Sequence, residues 1–106
     1  VRRGGEYSVQ TYNVGNTILK ADGMELSVDG NSLRLAGKEV DMLSMFMGNP
    51  GRTIKLSQFV ERLSDEEEVT RDMIELYISY LRNKLESLHA NVRIDGNAEE
   101  GFTLVV

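Results

Sequence analysis

The chain has 106 residues, a single histidine, no cysteine and a formal net charge of -5. That length supports one compact core rather than two. The missing cysteines exclude disulfides, thiolate zinc sites and thiol nucleophiles, and His89 alone cannot supply the imidazole pair of a metal site or the partners of a triad.

Charge is unevenly spread. Residues 1–54 carry six basic and six acidic side chains and residues 55–106 carry six and eleven, so the acidic excess lies in the second half. This is the wrong sign for a protein that approaches phosphates. No stretch reaches the roughly 18 apolar residues of a membrane span, and the N-terminus lacks the apolar segment of a signal peptide. The expectation is a cytoplasmic protein that needs no membrane.

In chain order, Arg2, Arg3, Gly4 and Gly5 precede any apolar alternation, so residues 1–12 read as a linker and residues 13–106 as the folded domain. From Tyr12 to Leu35, short alternations (Ile18; Met24, Leu26, Val28; Leu33, Leu35) are separated by Asp22-Gly23 and Asp29-Gly30, dipeptides suited to hairpin turns. They predict a small antiparallel sheet. Val40, Leu43, Phe46 and Met47 then fall at helical spacing between Lys38 and the stop at Gly48-Asn49-Pro50-Gly51. Ile54, Leu56, Phe59, Val60 and Leu63 predict a second, shorter helix, which ends before the acidic run Asp65, Glu66, Glu67 and Glu68.

The third helix has the sharpest signal. Ile74, Ile78, Leu81, Leu85 and Leu88 step by four, three, four and three residues along one face. Thr70 is placed to cap it, and Asp72 in its first turn favours the positive end of the helix dipole. Val92 to Ile94 and Phe102 to Val106 flank a turn and predict a closing hairpin.

Four stretches carry a resemblance. They are Leu35-Ala36-Gly37-Lys38-Glu39-Val40 with Met42 and Leu43; Asn49-Pro50-Gly51-Arg52; Ile78 with Leu81, Arg82 and Lys84; and Gly101-Phe102 with Leu104. In this order and spacing they resemble the C-terminal effector domain of OmpR/PhoB-type response regulators across nearly the whole chain. Val1-Arg2-Arg3 is similar to the end of the last helix of that family's receiver domain.

The resemblance implies an α+β fold: a winged helix-turn-helix with an N-terminal antiparallel β-sheet, three helices and a C-terminal β-hairpin wing. It implies that the third helix enters the major groove of double-stranded promoter DNA while the wing reaches the flanking backbone or minor groove. With the isoleucine and leucine face inward, the candidate DNA-binding residues are Arg71, Met73, Leu76, Tyr77, Ser79, Tyr80, Arg82, Asn83 and Lys84. Arg82, Lys84 and Arg71 are the expected phosphate ligands; Ser79 and Asn83 can hydrogen-bond bases or phosphates; Met73, Tyr77 and Tyr80 can pack on sugars or thymine methyls. The family's polymerase-contact loop corresponds to Asp65, Glu66, Glu67 and Glu68, which also read simply as a solvated loop. Phosphorylation would fall on a receiver domain outside this sequence and act by dimerising the longer protein. No cofactor or metal is implied.

Departures from the family pattern matter as well. The wing reads Gly96-Asn97-Ala98-Glu99-Glu100 where the family commonly carries an arginine, and Asp72, Tyr77, Ser79 and Tyr80 stand at positions where it is often basic or histidine. Lys55 and Leu56 replace a common Ser-Arg. Since each neutralised phosphate adds about 0.9 to the slope of log affinity against log salt, the pattern predicts weak non-specific binding. The apolar patch of Met73, Leu76, Tyr77 and Tyr80 leaves a second reading open, a degenerate winged helix that serves protein interaction or dimerisation. An enzyme finds no support, because no nucleophile is spaced to meet a base and no glycine loop could cradle phosphate.

Overall fold

Short polar turns and two-residue periodicity build the first third of the chain. In the computed structural model, which describes residues 11–64 and 68–106, strands β1 (Thr11–Val14), β2 (Thr17–Lys20), β3 (Glu25–Val28) and β4 (Asn31–Arg34) form an antiparallel meander in the order β1-β2-β3-β4. Asp29 and Gly30, both at positive φ, make the β3–β4 turn, as the Asp-Gly pair predicts.

The sheet departs from the sequence pattern in three places. β1 takes up Thr11 and Tyr12, so the ordered sheet reaches two residues into the expected linker; residues 1–10 lie outside the described residues. A further turn at Gly15-Asn16 joins β1 to β2. In β2 the inward side chains are Thr17 and Leu19, whereas Ile18, the residue expected to mark the apolar face, is only half-buried on the other side. A strand's two faces alternate strictly, so a single apolar residue cannot fix the phase.

Helix α1 (Gly37–Met47) buries Val40, Met42, Leu43, Phe46 and Met47. Its first turn is closed by Glu39, whose Oε1 accepts from the Ala36 backbone N–H at 2.8 Å. Helix α2 (Leu56–Leu63) starts in the same manner, with Gln58 Oε1 accepting from the Lys55 N–H at 2.8 Å. Lys38 reaches across to donate to the Leu63 carbonyl at 2.9 Å, satisfying an orphan acceptor at the end of α2.

Ile54 is not part of that helix. It lies in β5 (Thr53–Ile54), a two-residue strand that pairs with β7 (Gly101–Val105), while β6 (Arg93–Asn97) pairs with the other edge of β7. The expected hairpin is thus a three-stranded sheet in the order β5-β7-β6. Thr53 and Thr103 add a hydroxyl hydrogen bond of 2.8 Å across it. Helix α3 (Arg71–Ser87) has Thr70 as its N-cap, whose Oγ1 accepts from the Met73 N–H at 3.3 Å. Leu88, counted into the apolar stripe, is the buried C-cap residue.

The core lies between the helices and the two sheets. Ile74, Ile78, Leu81 and Leu85 of α3 meet Met42, Leu43 and Phe46 of α1, and Phe46, Phe59 and Phe102 form a chain of tilted rings 5.3 and 6.2 Å apart. Offset ring packing of this kind adds to plain area burial. It also ties α1, α2 and the wing sheet to one centre, from which α3 projects its opposite face.

Candidate functional site

Helix α3 is 17 residues long and exposes one side along its length. On that side lie Asp72, Leu76, Ser79, Tyr80 and Asn83, all exposed; Leu76 keeps 49% and Tyr80 45% of its accessible surface. Leu76 and Tyr80 are two of the three large hydrophobic side chains exposed among the described residues, and they lie one helical turn apart on this face. Met73 and Tyr77 form the border of the strip. Both are half-buried and pack against the core, and the Tyr77 ring meets Tyr80 edge-on at 6.5 Å.

Of the expected phosphate ligands, Arg71 stands exposed at the start of the helix, with Nε 3.6 Å from Glu75 Oε2 one turn on. Such an exposed i,i+4 pair is weak and easily exchanged for another anion.

The other two cations are employed differently. Lys84 Nζ lies 2.8 Å from Glu39 Oε1 and 3.4 Å from the Arg34 carbonyl, which joins α3 to α1 and to the end of β4. Glu39 is only 2% exposed, and its Oε2 is buried without a hydrogen-bond partner in the structure. A buried carboxylate demands a cation, and Lys84, named above among the expected phosphate ligands, is drawn inward to meet it. Arg82 donates from Nε to the Ile94 carbonyl at 3.0 Å and from Nη2 to the Gly96 carbonyl at 3.1 Å, both on the wing strand β6. Its guanidinium also lies 5.7 Å from the centre of the Phe102 ring.

The wing carries no compensating charge at its tip. Asn97 Oδ1 accepts from the N–H groups of Glu99 and Glu100 at 3.0 and 2.8 Å and shapes the turn. Asp95, Glu99 and Glu100 are exposed, and Arg93, further down the same strand, forms an exposed pair with Asp95 at 2.9 Å. Glu68 is exposed; Asp65, Glu66 and Glu67 of the expected polymerase-contact loop lie outside the described residues.

Two features of this region had no prominent sequence signal. The Glu39–Lys84 pair joins residues 45 apart. A reciprocal clamp joins residues 75 apart: the Asn16 N–H donates to Asn91 Oδ1 at 3.1 Å and the Asn91 N–H to Asn16 Oδ1 at 2.9 Å. The clamp fastens the β1–β2 turn to the chain leaving α3. Gly15 sits beside it at a φ of 59°, and a Cβ there would lie 2.2 Å from Asn91 Oδ1 and push that side chain out of the clamp.

Comparison with known proteins gives one family. Residues 30–104 match the model of the C-terminal domain of transcriptional regulatory proteins. The transcriptional regulatory protein DltR of Streptococcus agalactiae is 32% identical over 94 residues, covering 86% of this chain and 41% of the relative, so the chain spans less than half the length of that protein. Among solved structures, the DNA-binding domain of E. coli CadC superposes with a TM-score of 0.80 at 22% identity, covering 93% of this chain and 95% of that one. The DNA-binding domain of Klebsiella pneumoniae RstA in complex with its RstA box gives 0.72 at 19% identity, covering 91% and 97%. At those identities the superpositions speak for the winged-helix fold alone.

Proposed function

The chain belongs to the family of C-terminal domains of transcriptional regulatory proteins, and on that premise we propose that it is a double-stranded-DNA-binding effector domain of a two-component response regulator. The observation that carries the reading is the exposed strip of Leu76, Ser79, Tyr80 and Asn83 on a helix whose opposite face is wholly core. In a helix-turn-helix such a strip is the part that enters the major groove. Ser79 and Asn83 supply hydrogen-bonding groups for base edges, and Leu76 and Tyr80 supply apolar contact to thymine methyls and sugars. Met73 and Tyr77 border the contact, and Arg71 is the phosphate ligand at the start of the helix.

In the longer protein, a receiver domain would carry the phosphorylated aspartate and drive dimerisation on two half-sites, with the segment from Asp65 to Glu68 turned toward RNA polymerase. Such a regulator works in the cytoplasm, and we assign this domain no catalytic step.

Fluorescence anisotropy of the domain with the DNA upstream of its own coding sequence, beside a scrambled duplex and at two salt concentrations, tests this. The expected result is a Kd for the upstream fragment on the order of micromolar at low salt, tighter than for the scrambled duplex. Millimolar or weaker binding to both at low salt would overturn it and favour the protein-interaction reading of the same apolar strip.

A further inference from the structure

Arg82 bridges the two elements that a winged helix presents to a duplex. β6 is the outer strand of the wing sheet, and the backbone groups of alternate residues in an outer strand point away from its partner. Ile94 and Gly96, two residues apart, turn their carbonyls toward α3, and the Arg82 guanidinium accepts that spacing with Nε at 3.0 Å and Nη2 at 3.1 Å. A planar fork matches two parallel acceptors in a way a lysine ammonium cannot. The same guanidinium lies over the Phe102 ring, which stands opposite Gly96 on β7.

Gly96 shows why the strand needs holding at this point. Its φ is 110°, and a Cβ there would lie 2.1 Å from the Gly101 carbonyl oxygen. Arg82 thus grips the strand at a position that only glycine fits, and a glycine in an edge strand has no side chain with which to fix its own direction.

We propose that Arg82 is a positioning residue: it locks the wing against α3 and so sets the angle at which helix and wing meet the duplex, instead of neutralising a phosphate. The inference rests on the DNA-binding reading for its duplex part, while the lock itself belongs to the free domain. The tip residues Gly96 to Glu100 carry no cation, so a loosened wing tip loses orientation without losing a phosphate contact of its own.

The test compares Arg82→Lys and Arg82→Ala with the unsubstituted domain in two measurements. The first is amide hydrogen exchange in the free domain at Asp95 and Thr103, which face each other across β6 and β7. The second is the salt dependence of anisotropy with the upstream duplex. Arg82→Lys keeps the charge and the aliphatic stem, which protects the fold, but loses the fork. Expected are wing amides that exchange roughly tenfold faster in both variants, as the loss of a charged hydrogen bond implies, together with weaker duplex binding at an unchanged salt slope. The proposal is overturned if Arg82→Lys restores both exchange and affinity, or if Arg82→Ala leaves the wing amides alone and lowers the slope by about 0.9, the signature of a lost phosphate contact. Should the unsubstituted domain fail to bind the duplex, the DNA reading falls by itself, and the exchange at Asp95 and Thr103 still decides the role of Arg82.

Discussion

The two flanks of α3 hold the helix by different physics. Arg82 and Lys84 sit on opposite sides of the apolar stripe, each roughly 80° from its centre at about 100° per residue. On one flank, Lys84 ends on a carboxylate that is 2% exposed. On the other, Arg82 ends on backbone carbonyls along a sheet edge, where it is itself exposed. Removing Lys84 strands a buried charge; removing Arg82 leaves two neutral backbone carbonyls, those of Ile94 and Gly96, without its donors. The first flank therefore bears on the stability of the domain, and the second on where the wing points.

The sharpest way to break this contrast is Lys84→Met, for which we expect a loss of about 3 kcal/mol in urea denaturation, the lower end for a broken buried pair because Lys84 is partly exposed. Adding Glu39→Gln to the same chain removes the stranded charge and should recover a large part of that loss. A double variant no more stable than Lys84→Met alone would mean that the pair is not what binds α3 to α1.

Next in size is Gly96→Ala on the wing flank. The positive φ and the 2.1 Å approach to the Gly101 oxygen should cost on the order of 2 kcal/mol. Its chemical-shift changes should stay within β6, β7 and Arg82, which donates to the Gly96 carbonyl; changes of similar size around Glu39 would show that the flanks are not independent.

Thr70→Ala removes the cap at the start of α3 and should cost about 1 kcal/mol in thermal melting, with Thr70→Ser close to the unsubstituted domain. The smallest effect on stability belongs to Arg71→Ala, under about 0.5 kcal/mol for an exposed pair. In a salt titration of duplex binding, that same substitution should lower the slope by about 0.9. An unchanged slope would remove Arg71 from the contact surface.

Legibility in the sequence followed how local the determining contacts are. The apolar stripes of α1 and α3, the Thr70 cap and the Asp29-Gly30 turn depend on neighbours within a few residues, and each stands where its pattern places it. β5 could not be read in the same manner. Two residues carry no period, and Ile54 is a strand residue only because Phe102, 48 positions later, pairs with it. Next to Leu56 and Phe59 it imitates a helix instead. The strip of Leu76, Ser79, Tyr80 and Asn83 was legible because the helix period fixes which Cβ atoms point outward. The ends of Arg82 and Lys84 were not, since both lie at the border of the stripe, and long flexible side chains reach whichever partner most needs a donor. Glu39 was visible as an acidic residue in a first turn, but nothing local indicates that packing buries it.

The claim on which the rest depends is that α3 meets the duplex with the side turned away from Ile74, Ile78, Leu81 and Leu85. A titration of the isotope-labelled domain with the upstream duplex, followed by backbone amide shifts, tests it directly. The expected result is saturable shifts concentrated at Leu76, Ser79, Tyr80, Asn83 and the wing tip, with the amides of β1 to β4 nearly unmoved. Saturable shifts on the four-stranded sheet with α3 unmoved would contradict it.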